Sequence, residues 1–277
     1  MPSPNPIYTQ KPFSLAHLRS VFANSDPVKL AAMTALMPWD YFHKQYEFQE
    51  ATLNADWTAV RDSGNTATNF AYNAQRNGAL QGATGATDDG SFALHYHAAL
   101  FNPSDNPFVW FRWVAPAAVT GFSFEIGFSD PKTDEALPGI TDVDADPPTV
   151  GNGVTDIAAV HMDTDQAVAT ARIVGDGTTG AAVGRTLTND AGTAWTPTAG
   201  GIIDTIVGVR ANRAFCWIWD SAARVGVMQA AEASGTHNGP DANVLIRPYA
   251  MFRTRNTTSK TISLLKAVIV AEENRTS

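Results

Sequence analysis

The acids of this chain gather between Glu125 and Asp165, and their spacing limits the chemistry open to them. A glycosidase built on a β-sandwich sets paired carboxylates on alternate positions of one strand. Both then enter the cleft about 5–5.5 Å apart, one as nucleophile and the other as acid/base. No Glu-x-Asp-x-Glu run occurs, and Glu125 stands alone between Phe124 and Ile126. Asp163 and Asp165 share a strand parity, but Asp163-Thr-Asp-Gln166 reads as a strand end entering a turn. No catalytic residue is assigned, and the chain is read as a non-enzyme.

Asp142-Val-Asp-Ala-Asp146 offers carboxylates at alternate positions, a spacing able to surround a hard cation. Calcium takes roughly six to eight oxygens, and this segment lacks the central glycine and distal glutamate of an EF-hand loop. It reads first as a solvated acidic loop, with a structural calcium site on Asp142, Asp144 and Asp146 as the alternative. His95 and His97 fall on one side of a strand, without a third ligand in sequence. Gly-x-Ser-x-Gly is missing, so no nucleophile elbow is expected. Val174-Gly-Asp-Gly-Thr-Thr-Gly180 resembles a phosphate loop only in composition, because Gly-Lys-Ser/Thr does not follow. No cofactor or metal is assigned.

Seven tryptophans raise the question of stacking on sugar rings. Trp110, Trp113, Trp217 and Trp219 sit in apolar strand runs and read as core. Trp57 and Trp195, among Thr, Asn, Gly and Pro, are the ones expected at the surface. Arg247, Arg253 and Arg255 lie on one predicted strand, and an inter-subunit salt-bridge role is favoured for them.

Behind these groups stands an all-β pattern. Phe122/Phe124/Ile126/Phe128 and Phe215/Trp217/Trp219 alternate along strands. Asp62-Ser-Gly64, Asn77-Gly78, Asp88-Asp-Gly90, Asp176-Gly177 and Asn238-Gly239 punctuate the runs as turns. More than ten short strands at this spacing read as an antiparallel jelly-roll β-sandwich. A hydrophobic fraction of 44% in 277 residues suffices for its core. The single cysteine, Cys216, lies in Ala214-Phe-Cys-Trp-Ile-Trp219, so no intrachain disulfide forms and a buried, inert thiol is expected.

The formal charge of −8 argues against nucleic acid or an anionic membrane as partner. Ten acids and one base, Lys132, fall between Gly121 and Thr170, whereas bases exceed acids from Thr205 onward. Two faces of opposite sign, or opposite charges folded side by side, are both consistent with that asymmetry. Leu30–Met37 is far too short to span a bilayer, and the start lacks the pattern of a signal peptide. Synthesis in a reducing cytoplasm is expected.

Residues 1–45 differ from the rest. Pro2, Pro4, Pro6 and Pro12 favour an extended arm. Ser14–Phe22 and Ser25–Met37 suit two short helices, the second stopped by Pro38. The sandwich is expected over residues 46–277. The arm either folds back on this domain or docks on another subunit, its prolines lowering the cost of ordering.

Phe124-Glu-Ile-Gly-Phe-Ser-Asp130, the acidic Pro/Gly loop, Ala159-Val-His-Met-Asp-Thr-Asp165 and Ser263-Leu-Leu-Lys-Ala-Val-Ile-Val270 together resemble a group of tailed-phage structural proteins. Their cores are concanavalin/laminin-G-like jelly rolls, and the resemblance runs from about Phe108 to Val270. It implies a virion component, first a capsid decoration or minor capsid protein on the head exterior. The major capsid protein is then the expected partner, with homo-oligomers admitted. Phe13, Leu15, Leu18, Phe22, Trp39, Tyr41 and Phe42 are the expected partner-binding residues. The alternative is a tail or fibre component that binds a host glycan or receptor through exposed aromatics.

Overall fold

The structure is a computed structural model that describes residues 41–48, 53–62, 71–73, 79–178, 181–189, 191–210, 212–231 and 239–272. Its strands in chain order are β1 (Tyr41–Glu47), β2 (Trp57–Arg61), β3 (Ala71–Asn73), β4 (Ala79–Ala83), β5 (Ser91–Tyr96) and β6 (Phe108–Val114). There follow β7 (Phe122–Ser129), β8 (Ile140–Asp142), β9 (Thr149–Val150), β10 (Ile157–Asp163), β11 (Arg172–Asp176) and β12 (Val183–Thr186). The series closes with β13 (Ile202–Val209), β14 (Ala214–Asp220), β15 (Val225–Ala230), β16 (Arg247–Thr254) and β17 (Thr261–Glu272).

Two antiparallel sheets stack face to face. The eight-stranded sheet runs β15-β14-β13-β6-β17-β4-β3, with β1 also on β17. The seven-stranded sheet runs β12-β11-β10-β7-β16-β5-β2, and β8 with β9 forms a small separate hairpin. The twelve-residue β17 serves two partners along one edge. Thr261–Leu264 pair with β4, and Lys266–Glu272 pair with β1. A register shift between Leu264 and Lys266 separates the halves. Jelly-roll order follows from alternation: consecutive strands such as β6 and β7 lie in opposite sheets, so each apolar face meets the other.

Between the sheets lie Phe111 and Trp113 of β6, Phe122, Phe124, Ile126 and Phe128 of β7, Cys216 and Ile218 of β14, and Phe252 of β16. The alternation in β7 therefore sets its phenylalanines inward as expected. Its other face, Ser123, Glu125, Gly127 and Ser129, is buried as well. A segment between β7 and β10 crosses that outer face, which the period-two pattern alone does not announce.

One assignment moves. Tyr41 and Phe42, expected in the arm, lie in β1, where register pairs them with Glu272 and Ala271. Phe42 packs edge-on against Phe101 at 5.3 Å between centroids. Phe13, Leu15, Leu18, Phe22 and Trp39 lie outside the described residues. Between β10 and β11, residues 164–171 form turns and bends, and the next strand begins at Arg172. The short β8, β9 and β12 carry no sequence signal of their own.

Candidate functional site

Glu125 is the organising residue of the seven-stranded sheet's outer face. It is fully buried, and its two oxygens receive five hydrogen bonds. Lys132 Nζ (3.0 Å), Gly139 N (2.8 Å) and Tyr249 Oη (2.6 Å) donate to Oε1. Ile140 N (2.9 Å) and His161 Nδ1 (3.2 Å) donate to Oε2. Burial alone would raise this carboxyl's pKa, but the Lys132 charge and the His161 and Tyr249 contacts hold it well below the usual carboxylate range. Burial and the neighbouring Glu125 charge push the Tyr249 hydroxyl well above its ordinary value, so it remains a donor.

Those bonds pin a strap, residues 131–156, over the sheet. Ile140, Val143 and Val154 of the strap pack with Ala93, Ile157, Ala159, Val174, Tyr249 and Met251 in a second apolar core. Ser91 Oγ donates to the Ala136 carbonyl at 2.6 Å. Arg247 pairs with Glu135, and Arg172 donates to the Val143 carbonyl and lies 3.3 Å from Asp144. Gly127 is required beneath: a Cβ there would overlap the Ala158 carbonyl of β10. With its lone pairs taken and no solvent contact, Glu125 can hold a strap but cannot act as nucleophile or general acid.

The arginines pair within the chain. Arg253 reaches Asp163 at 2.9 Å, and Arg255 reaches Asp163 at 3.0 Å, Asp165 at 3.2 Å and Asp89. Arg247, Arg253 and Arg255, expected to bridge subunits, make ion pairs within the chain, Arg247 to Glu135 of the strap and Arg253 and Arg255 to Asp163 of β10. Acid-rich and base-rich stretches meet because β16 lies beside β7, which pairs with β10. The acidic loop is likewise engaged: Asp142 accepts from the backbone of Asp144 and Ala145, and Asp144 accepts from Val168 N at 2.9 Å. Among the described residues, no three His, Cys, Asp or Glu side chains converge as cation ligands.

Trp57 and Trp195, expected at the surface, are both buried. Trp57 sits edge-on to Tyr46, Tyr96 and Phe111 at 5.4, 5.5 and 5.6 Å, and Trp195 aims Nε1 at Asp220 and packs near Phe124. Polar sequence neighbours misled: Trp57 opens β2 with its ring in the core, and Trp195, in the loop before β13, packs into the same core. His95 is buried against Arg247, with Nδ1 3.1 Å from its guanidinium, while His97 is exposed. The two do not form one site.

What the surface offers lies at one end of the sandwich, where β5, β7 and β11 finish and β10 and β16 begin. Phe101 and Ile246 form an isolated bridge there, their mutual N–H···O bonds 3.1 and 2.9 Å, with both side chains inward. Leu100 and Leu245, each the residue before a partner of this bridge, turn to solvent. They are 54% and 49% exposed, the two most exposed large apolar side chains described. His97, Ser104 and Asn243 are exposed on the same two loops. Alongside, burial, aided by the Asp156, Asp241 and Asp130 charges and opposed by the Gly177 N–H, pushes the Asp176 carboxyl up to about 6. Neither leucine carried a signal in sequence.

Comparison with solved structures places this architecture. Basic winged bean lectin, in its complex with Tn-antigen, aligns over 83% of this chain and 98% of its own, at TM-score 0.52 and 11% identity. The chain has a lectin-type fold. Lectin II from Ulex europaeus aligns over the same shares at TM-score 0.52 and 12% identity. A protein of unknown function from Shewanella oneidensis MR-1 covers 92% of this chain and 98% of its own, at TM-score 0.51 and 11% identity. No family model matches the sequence, and no curated protein matches it.

Proposed function

We propose that this chain is a carbohydrate-binding module, with its sugar site on the loop end built by residues 97–106 and 239–246. The observation that carries the reading is the exposed Leu100–Leu245 outcrop on a lectin-type sandwich. Sugar rings present apolar C–H faces and a fringe of hydroxyls. A pair of aliphatic side chains ringed by amide, hydroxyl, imidazole and carboxylate groups suits both parts. The strap occupies the outer face of the seven-stranded sheet, and Trp57 and Trp195 are buried, so neither supplies a stacking platform. No bond-breaking chemistry is included, since Glu125, the carboxylate at the centre of that face, is saturated.

Support for the setting is narrower. The resemblance of Phe124–Asp130 and Ala159–Asp165 to phage structural proteins would put such a module on a tail or fibre. Head decoration through residues 1–45 rests on the same resemblance alone.

The test is a glycan microarray with the full chain and a Leu100→Asp/Leu245→Asp double variant. Binding by the parent, lost in a variant that keeps its unfolding midpoint, supports the assignment. Unchanged binding by the variant, or a parent that retains no glycan, overturns it.

A further inference from the structure

The corner where β5, β16 and the head of the strap meet is built around a buried histidine. His95 of β5 stands opposite Tyr249 of β16 in register, and both are buried. The His95 Nδ1 lies 3.1 Å from the Arg247 guanidinium and 3.2 Å from the Tyr96 carbonyl. A guanidinium only donates, so this nitrogen presents a lone pair to Arg247 and the ring carries its proton on Nε2. Arg247, itself buried, uses the other arm of its fork to hold Glu135.

Glu135 is where the head of the strap is fastened. Its Oε1 accepts from Lys132 N at 3.0 Å as well as from Arg247. The next residue, Ala136, takes the Ser91 hydroxyl on its carbonyl. Lys132 Nζ sits 3.8 Å over the Tyr249 ring, so this part of the strap covers β16. Glu125 keeps its own hold on either side, at Lys132 Nζ and at Gly139 N. Residues 133–138 therefore form a loop closed at both ends by Glu125 and fastened in the middle, through Arg247, to His95.

A proton on Nδ1 reverses the sense of that contact. The nitrogen turns from acceptor to donor, and two positive groups then stand 3.1 Å apart out of water. The Tyr96 carbonyl is placed to take the new N–H, whereas Arg247 loses its acceptor. The charges that reach the ring oppose the proton: Arg247 from β16 and Lys132 from the strap. Tyr249 is kept a neutral donor, and Thr58, opposite His95 on β2, is uncharged. The carboxylates nearby already face those bases, Glu125 and Asp130 on Lys132, Glu135 and Asp130 on Arg247. Burial, together with Arg247 and Lys132, keeps the His95 pKa below its ordinary value against the pull of the Tyr96 carbonyl.

We propose that His95 is an acid-operated latch: a proton taken up at Nδ1 expels Arg247 and releases residues 133–138 from β5 and β16. The released state gives the imidazole its ordinary pKa of about 6.5. The closed state is thus fully favoured above that pH and loses its advantage as pH falls below it. The open fraction rises by up to about tenfold for each pH unit below 6.5. Beyond Gly139 the strap stays down, because Glu125 remains ionised there. The latch does not rest on the sugar reading, and either can fail alone.

The experiment follows amide hydrogen exchange in the full chain at pH 7 and pH 5, each rate divided by that of an unstructured chain at the same pH. Protection of residues 133–138 is expected to fall by about tenfold at pH 5, while peptides from β7 and β10 keep theirs. His95→Gln supplies an amide that accepts from Arg247 and takes up no proton, and its protection is expected to be equal at the two pH values. Unchanged protection in the parent, an equal fall in His95→Gln, or a fall shared by β7 and β10 would overturn the proposal. A second measurement needs no variant: the His95 ring resonances of the parent are expected to titrate below a pH of about 6.5. Titration at or above that value overturns the latch even where His95→Gln does not fold.

Discussion

Glu125 and Lys132 meet as a fully buried ion pair, Oε1 to Nζ 3.0 Å, with side-chain exposures of 0% and 1%. The pair ties β7 to the strap that covers it. Removing one partner leaves the other charge buried without compensation, a loss of about 3–5 kcal/mol. Glu125→Gln is expected to lower stability at neutral pH by that order, read from urea unfolding.

The pH dependence of that difference has a definite sign. Glu125's folded pKa lies below its unfolded value of about 4.3. Its contribution is therefore complete above that pH and is lost as the pH falls towards the folded value. The gap between the parent and Glu125→Gln is predicted to stay flat at neutral pH and to narrow below about pH 4. A gap that widened in acid would contradict the assignment.

Asp176 works in the opposite sense. Its folded pKa, pushed up to about 6, exceeds the unfolded value. The native state therefore takes up a proton as pH falls through 6, and ionised Asp176 costs stability above that pH. Asp176→Asn is expected to stabilise the fold by ~1 kcal/mol near pH 8, after allowance for solvent screening. The gain should vanish near pH 4, about the unfolded value. Thermal unfolding midpoints at the two pH values measure it.

The fold was legible because β7 and β14 write their alternation in large residues, Phe122 to Phe128 and Phe215 to Trp219. The same pattern could not say which face of β14 meets the other sheet. Cys216 and Ile218 do so, and Trp217 and Trp219 look outward. Lys132, the only base between Gly121 and Thr170, was a visible clue to Glu125's partner. His161 and Tyr249 reach the same carboxylate only through strand order, which no local signal encodes. The exposed leucines were silent for a related reason: Leu100 and Leu245 become neighbours through one bridge between distant loops.

Close approach at Gly127 gives a steric prediction. Gly127→Ala would drive a Cβ into the Ala158 carbonyl of β10, with neither backbone free to retreat inside a central strand pair. A loss of ~3 kcal/mol or more is expected from denaturant midpoints. Gly192→Ala is the control, since nothing lies within 4 Å of a Cβ there; its positive φ of 75° limits it to the small cost of backbone strain.

Cys216 is buried between the sheets, and burial pushes its thiol well above the ordinary range despite an opposing Gln229 backbone contact. The thiolate is the reactive form. Ellman's reagent is expected to leave Cys216 untouched in the folded protein and to titrate it stoichiometrically in guanidinium.

The sugar-binding account is tested most directly by following backbone amide resonances during titration with the best microarray glycan. Shift changes confined to residues 97–106 and 239–246, saturating with a single dissociation constant, are predicted. Changes centred on the strap or on the outer face of the eight-stranded sheet, or no change at saturating glycan, would contradict it.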